Sequence, residues 1–246
     1  MSSLQGKTAI VTGASRGIGR QIAERLAALG AQVVVNYAAS RETADEVVAE
    51  IAAAGGQAIA IQADVAKVED IERLFAETIE RLGKVDILVN NAGAMTNRLI
   101  GEVTEADFDR LFAINVKGTY FACQQAMKHM GEGGRIVNFS TSVLGAMMPS
   151  YSVYAAAKGA VEQITRQLAK EFGPKGITIN AIAPGQVRTE LFTTGKTQEQ
   201  IEAFSKMNAF GRLGEPDDIA GAVELLVGDR AHWITGQTIR ANGGFN

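Results

Sequence analysis

The sequence predicts an α/β fold, a single doubly wound domain whose parallel sheet is covered by helices on both faces. Two observations carry that prediction. Short β-branched runs alternate with longer stretches of helical periodicity along all 246 residues. The strand-like runs are also continuously apolar rather than alternating, as strands buried on both faces must be.

Taken in order, Thr8–Val11 reads as the first strand and is followed by a helix over about 19–29, which Gly30 stops as a C-cap. Val33–Val35 precedes a helix over about 41–54, closed by Gly55-Gly56. Ala58–Ile61 precedes one over about 68–82, closed by Gly83. Ile87–Val89 leads into a long helical region over about 104–130, where Thr104 and Asp107 have the spacing of a capping box. Ile136-Val137 opens the fifth strand, with a helix over about 153–172 after it, and Ile177–Ile182 is the sixth. Helical segments over about 197–207 and 216–227 precede a last strand near 237–240. There is no fixed-period repeat, and four prolines provide no linker.

A composition of 46% hydrophobic and 21% charged residues suits a packed core and excludes a disordered chain. A formal net charge of −3 gives no basic footprint for nucleic acid or an anionic membrane. One cysteine, Cys123, and two histidines exclude a disulfide framework and a conventional zinc site, and the apolar surroundings of Cys123 read as those of an inert core thiol. The N-terminus lacks an apolar signal region, and the longest uncharged stretch, 136–157, is too polar for lipid. A cytoplasmic protein is the expectation. Glycine stands out at 27 residues, and in so apolar a chain it points to backbone packed closely against something.

The first such place is Thr12-Gly13-Ala14-Ser15-Arg16-Gly17-Ile18-Gly19, between the first strand and the first helix. Glycines let a phosphate approach the backbone, and a helix N-terminus offers unpaired N–H groups with partial positive charge. The context points to pyrophosphate binding; a plain tight turn is the alternative. At the end of the second strand, Asn36-Tyr37 contains no carboxylate to repel a 2′-phosphate, and Ser40-Arg41 together with Arg16 supplies cations. The expected cofactor is therefore NADP(H). Asp64-Val65 could hold the adenine edge, or Asp64 could cap the next turn.

Tyr154 and Lys158 lie one helical turn apart on one face. A cation beside a phenol stabilises its phenolate, and lowering the usual pKa by about 3 requires roughly 4 kcal/mol. Such a pair makes a reversible acid/base for carbonyl–alcohol interconversion. Tyr-x-x-x-Lys by itself is common and often only a packed ring beside a solvated ammonium.

Thr12–Gly19, Asn90-Asn91-Ala92-Gly93, Asn115, the Ser140–Ser142 cluster, Tyr154/Lys158 and Pro184-Gly185 occur here in one order over the whole chain. In this the chain resembles the short-chain dehydrogenase/reductase family, above all the 3-oxoacyl-carrier-protein reductases and the tetrahydroxynaphthalene-reductase-like group. The resemblance implies a seven-stranded Rossmann sheet, a homotetramer, and hydride transfer between nicotinamide and a substrate carbon. It makes Tyr154 the acid/base, Lys158 the residue that binds nicotinamide ribose and tunes Tyr154, and Asn115 the holder of a water in a proton relay. Asn90, Asn91, Ala92 and Gly93 would steady the sheet beside the cofactor, and Pro184, Gly185, Val187 and Thr189 would contact the nicotinamide amide and pyrophosphate. A hydroxyl should also bind the substrate oxygen. Counting from Arg135 selects Thr141, whereas matching Ser-x-x-Gly selects Ser142, which is preferred because loops absorb deletions more readily than strands.

Residues 94–100 and a lid over about 188–212 should wall the substrate pocket, with Met95, Met147, Met148, Leu191, Phe192 and Phe204 making it apolar. A ketone with apolar substituents fits, either 3-oxoacyl or aromatic and polyketide-like. An acyl carrier protein is a weakly supported partner, because only Lys128, Arg135 and Lys175 supply positive charge nearby. An alcohol, sugar or sterol dehydrogenase working oxidatively would use the same residues. A non-enzymatic cofactor sensor would be expected to lack Tyr154, Lys158 or Asn115, and all three are present.

Overall fold

The computed structural model describes residues 3–246. Seven strands, β1 (Thr8–Val11), β2 (Gln32–Tyr37), β3 (Gln57–Gln62), β4 (Ile87–Asn90), β5 (Arg135–Phe139), β6 (Thr178–Pro184) and β7 (Thr238–Ala241), form one sheet in the order β3-β2-β1-β4-β5-β6-β7. Every pairing is parallel, as the apolar strand runs predicted.

The helices are α1 (Gly17–Ala28), α2 (Arg41–Ala53), α3 (Val68–Leu82), α4 (Glu105–Phe112), α5 (Gly118–His129), α6 (Ser152–Phe172), the short α7 (Glu190–Thr193), α8 (Gln198–Ser205) and α9 (Pro216–Val227). Alternate residues of each central strand feed two cores. Ala9, Val11, Val33 and Val35 pack with α1, α2 and α9 through Ile22, Leu26, Val47 and Val223. Ile10, Val34 and Leu88 pack on the other face with Leu74 and Phe75 of α3, Cys123 of α5 and Phe172 of α6. Fully burying each large aliphatic side chain stabilises by about 1.5–3 kcal/mol. Cys123 belongs to this core, where burial pushes its thiol up to about 12.

Gly30 ends α1 at φ 98°, with its N–H on the Ala27 carbonyl, and Gly83 ends α3 at φ 84°. Thr104 and Asp107 exchange side-chain bonds to each other's N–H at 3.1 Å each, so the expected box opens α4. The long helical region runs unbroken from Glu105 to His129, as expected, but its middle, Ala113–Lys117, is π-helical and divides α4 from α5. Such insertions gather at functional positions, and Asn115 is its central residue.

Strand order reverses between β1 and β4, and in open parallel sheets the crevice outside the carboxyl ends of such strands receives ligands. No helix among the described residues is long and apolar enough to cross a membrane.

Candidate active site

A cleft of about 490 Å³ opens at this reversal point. The glycine loop forms one end. Gly13 and Gly17 take φ 63° and 58°, where a side chain would be strained. A Cβ at Gly19 would sit 2.4 Å from both Asn91 Nδ2 and the Gly13 carbonyl, so α1 can begin there only without one. Asn91 Nδ2 donates to the Thr12 and Gly13 carbonyls, and the Ala92 N–H donates to Thr12 Oγ1 at 3.0 Å. Ser15, Arg16, Gly17 and Ile18 face the cleft from the start of α1. Bare backbone and a helix N-terminus at this point fit a pyrophosphate.

Tyr37, Ser40, Asp64 and Val65 line the adjoining wall. Asn36 also borders it, but its side chain is not available to a ribose. It is buried, accepts from the Gly13 N–H at 3.2 Å and donates to the Ile61 and Ala63 carbonyls. Its contact with a cofactor is therefore corrected to an indirect one, through the loop it holds. Asp64 Oδ1 accepts from the Ala66 N–H at 3.0 Å, which is the turn-capping alternative. Arg41 faces Asp45 at 3.4 Å outside the cleft, whereas Arg16 lines it, 74% exposed and 3.5 Å from Glu190.

The middle of the cleft is built from β4, the π-helical stretch and α6. Asn90 donates to Asn138 Oδ1 at 2.9 Å, tying β4 to β5. Asn115 exchanges bonds with the Ala94 N–H and carbonyl and donates to the Leu111 carbonyl, so it is fully buried and fixed. A Cβ at Gly93 would lie 2.9 Å from Asn115 Oδ1 and 3.4 Å from Lys158 Nζ. Glycine is thus what lets these two polar groups converge.

Lys158 is buried, donates to the Phe139 carbonyl at 2.7 Å and lies 6.0 Å from the Tyr154 ring centre. Burial lowers its ammonium to about 8. Burial likewise raises the Tyr154 phenol to about 12, opposed by a hydrogen bond with the Thr141 side chain.

Their hydrogen bonds separate the two hydroxyl candidates. Ser142, the preferred one, is 1% exposed; its Oγ donates to the Ala183 carbonyl at 2.9 Å and accepts from Asn242 Nδ2 at 3.0 Å. Its bonding capacity is spent on β6 and the chain's end, so the substrate-binding assignment of Ser142 is corrected. Thr141, selected by the count from Arg135, lines the same cleft as Tyr154, and its Oγ1 accepts only from the Val143 N–H at 3.3 Å, so its proton stays free to donate. Ser140 donates to Glu162 at 2.7 Å and serves packing.

Pro184, Gly185, Val187 and Thr189 complete the cleft wall after β6, where Thr189 Oγ1 accepts from the Phe192 N–H and caps α7. Met95, Met148, Leu191, Phe192 and Phe204 line the open end, and Phe192 and Phe204 stand edge to face at 5.3 Å. Met147 does not belong with them. It is 92% exposed at φ 47° and points to solvent. Among the lining residues that escaped the sequence reading are two aromatics. Tyr151, one turn before Tyr154, has its ring 6.3 Å from it, a spacing that could have been noticed. Phe245 comes from the chain's end, which carried no such signal.

The family described as Enoyl-(Acyl carrier protein) reductase matches residues 13–246. An uncharacterized oxidoreductase of Methylorubrum extorquens is 48% identical, with 99% of each chain covered. Versicolorin reductase 1 of Aspergillus parasiticus is 42% identical over 98% of this chain and 97% of its own. The crystal structure of the angucycline C-6 ketoreductase LanV with bound NADP superposes with a TM-score of 0.93, at 41% identity, over 99% of this chain and 97% of that one. With the glycine loop, the Tyr154–Lys158 pair and the sheet order all in place, the chain belongs to the short-chain dehydrogenase/reductase family of oxidoreductases.

Proposed function

We propose that the chain reduces a ketone with apolar, aromatic or polyketide-like substituents to a secondary alcohol, using NADPH. The observation that carries this reading is that Thr141, Tyr154 and Lys158 line one cleft, with the Lys158 ammonium 6.0 Å from the Tyr154 ring centre. Two hydroxyls lining one cleft beside a buried cation suit a single carbonyl oxygen. When bound, the dinucleotide supplies the hydride that the carbonyl carbon accepts.

Tyr154 gives its proton to the oxygen as charge develops there, and Thr141 donates a hydrogen bond to the same oxygen. Burial raises the Tyr154 phenol, so it holds its proton at neutral pH until charge develops on the oxygen. Lys158, charged below about 8, stabilises the phenolate left behind. Asn115 fixes the backbone at Ala94 and stands across Gly93 from Lys158, where a relay water would join them. Its part is to hold that path rather than to touch substrate.

The glycine loop fits the dinucleotide because a Cβ at Gly13 would lie 3.0 Å from Ala92 and one at Gly19 would fill the same cradle. Arg16, facing the cleft beside neutral Tyr37 and Ser40, favours a 2′-phosphate. LanV, a ketoreductase solved with NADP, supports both cofactor and reaction. The Met95, Met148, Leu191, Phe192 and Phe204 lining supports an apolar ketone over a carrier-bound one. The exposed Trp233 and Leu225, at 91% and 73%, suit burial in a homotetramer.

The test is oxidation of NADPH, beside NADH, against a panel of aryl ketones, quinones, 3-oxoacyl esters and enoyl thioesters. Faster NADPH oxidation with the aryl ketones or quinones is expected, and Tyr154→Phe should cut turnover about 10²–10⁴-fold while NADPH still binds. Negligible NADPH use beside rapid NADH use refutes the cofactor, and undiminished turnover in Tyr154→Phe refutes the mechanism.

A further inference from the structure

We propose that Asn246 and Asn242, in the segment after β7, are positioning residues that aim the Thr141 hydroxyl at the reacting oxygen. The inference rests on the role given above to Thr141 and Tyr154.

Residues 242–246 leave the edge strand and run back across the mouth of the cleft, where Phe245 lines it. Asn246 Nδ2 donates to the Ser142 carbonyl at 2.6 Å, across 104 positions of sequence. Asn242 Nδ2 donates to Ser142 Oγ at 3.0 Å, and that Oγ donates onward to the Ala183 carbonyl at 2.9 Å. Ser142 is thus gripped at its hydroxyl and its carbonyl together. The grip is itself ordered: Asn242 Nδ2 reaches Asn246 Oδ1 at 3.2 Å, while Asn242 Oδ1 accepts from the N–H groups of Gly244 and Phe245.

Two glycines make room for it. A Cβ at Gly145 would lie 2.7 Å from Asn246 Nδ2, and one at Gly185 would lie 2.9 Å from Asn242 Cα. Neither takes positive φ, so close approach is what excludes a side chain.

Thr141 precedes Ser142 in extended backbone, φ −158° and ψ 144°, its Oγ1 accepts from the Val143 N–H at 3.3 Å, and it lines the cleft with Tyr154. The direction of its side chain therefore follows from where Ser142 is held. Farther along the loop the Arg98 N–H holds the Ser150 carbonyl at 3.0 Å, while Met147 is exposed. Catalytic hydrogen bonds tolerate only small misplacements, and here the support comes from the other end of the chain.

The experiment is steady-state reduction, by NADPH, of α-tetralone or whichever panel member is reduced fastest. It uses wild type, Asn246→Ala, Thr141→Ala and the double variant, with NADPH affinity by fluorescence titration and melting temperature alongside. Asn246→Ala should lower kcat about tenfold, leaving KM and NADPH affinity within twofold. Added to Thr141→Ala it should lower kcat less than twofold further, because residues acting through one another are not additive. Gly145→Ala, which keeps both asparagines but crowds Asn246, should reproduce the tenfold loss. Should Asn246→Ala melt too low to assay, Asn242→Ala takes its place with the same expected pattern.

Wild-type kcat in Asn246→Ala beside an impaired Thr141→Ala overturns this inference alone. So does a full tenfold loss on top of Thr141→Ala, which would mean that Asn246 acts by another route. Wild-type kcat in Thr141→Ala instead overturns the role of Thr141, and this inference with it.

Discussion

Two loops at the carboxyl edge of the sheet build the cleft, and they are held in opposite ways. The loop over 12–19, after β1, takes its shape from within: Gly13 and Gly17 supply the left-handed backbone, and Gly19 supplies the space in which helix α1 begins. The loop over 140–151, after β5, gets left-handed backbone from Met147 and Ser150, which have no intrinsic taste for it. Its shape is imposed from outside. Asn246 and Asn242 hold Ser142, and the Arg98 N–H holds the Ser150 carbonyl at 3.0 Å. The first loop needs one rigid form to cradle a phosphate, whereas the second can be tuned by whatever packs on it.

The sharpest way to break this comparison is to give the first loop a side chain. Gly19→Ala puts a Cβ 2.4 Å from the Gly13 carbonyl, a backbone atom that cannot move without shifting the loop. We expect a destabilisation of about 1–3 kcal/mol and loss of NADPH binding beyond 100-fold, read by thermal melting and fluorescence titration. Binding close to wild type would mean that the loop adapts as its counterpart does.

Next in size is the pH response of Lys158, whose Nζ is tied to the Phe139 carbonyl at the foot of the second loop. Its folded pKa, about 8, lies below the ordinary 10.5. The unfolded lysine therefore holds its proton to higher pH than the folded one. The cost of the buried charge, about 3 kcal/mol, is carried in full below pH 8 and relieved as pH rises towards 10.5. Turnover should run the other way, falling about tenfold per pH unit above 8 as the phenolate loses its cation. In Lys158→Met that limb should vanish, turnover should be low at every pH, and melting temperature at pH 7 should be no lower than wild type. A persistent limb near 8 would assign it to another group.

The contrast between the loops also marks what the sequence could disclose. The doubly wound parallel sheet and the glycine loop were legible because apolar runs, glycine stops and a glycine cluster are local signals. Thr104 and Asp107 announced α4 for the same reason. The π-helical insertion at Asn115 was not legible, since Ala113–Lys117 contains no glycine or proline to mark it. Nor was the choice between Thr141 and Ser142. Spacing admits both, and what decides is that Ala183 and Asn242, 41 and 100 positions away, claim the serine. Asn36 is similar: without a carboxylate at the end of β2 nothing repels a 2′-phosphate, yet the Gly13 N–H and the Ile61 and Ala63 carbonyls already occupy its amide.

A smaller effect is expected where the glycine loop meets the lid. Arg16 is exposed and faces Glu190 at the start of α7 at 3.5 Å, an ion pair worth little in water. A 2′-phosphate would compete with that carboxylate for the guanidinium. Arg16→Ala should weaken NADPH about tenfold, the worth of a charge-assisted bond, and leave NADH unchanged. Glu190→Gln should tighten NADPH slightly. Equal loss for both dinucleotides would place Arg16 on the shared pyrophosphate instead.

The smallest effect sharpens the comparison most. At Ser150, φ 68° costs a serine roughly 1–2 kcal/mol in the folded chain. Glycine would remove that strain but would also give the unfolded chain more freedom, worth about 0.4–1 kcal/mol. Ser150→Gly should therefore change stability by less than about 1 kcal/mol, on the stabilising side, with kcat unchanged while the bonds to Ser142 persist. A clear drop in kcat without loss of melting temperature would show that left-handed backbone at a side-chain-bearing residue helps set the hydroxyl geometry, and that outside restraint alone does not shape this loop.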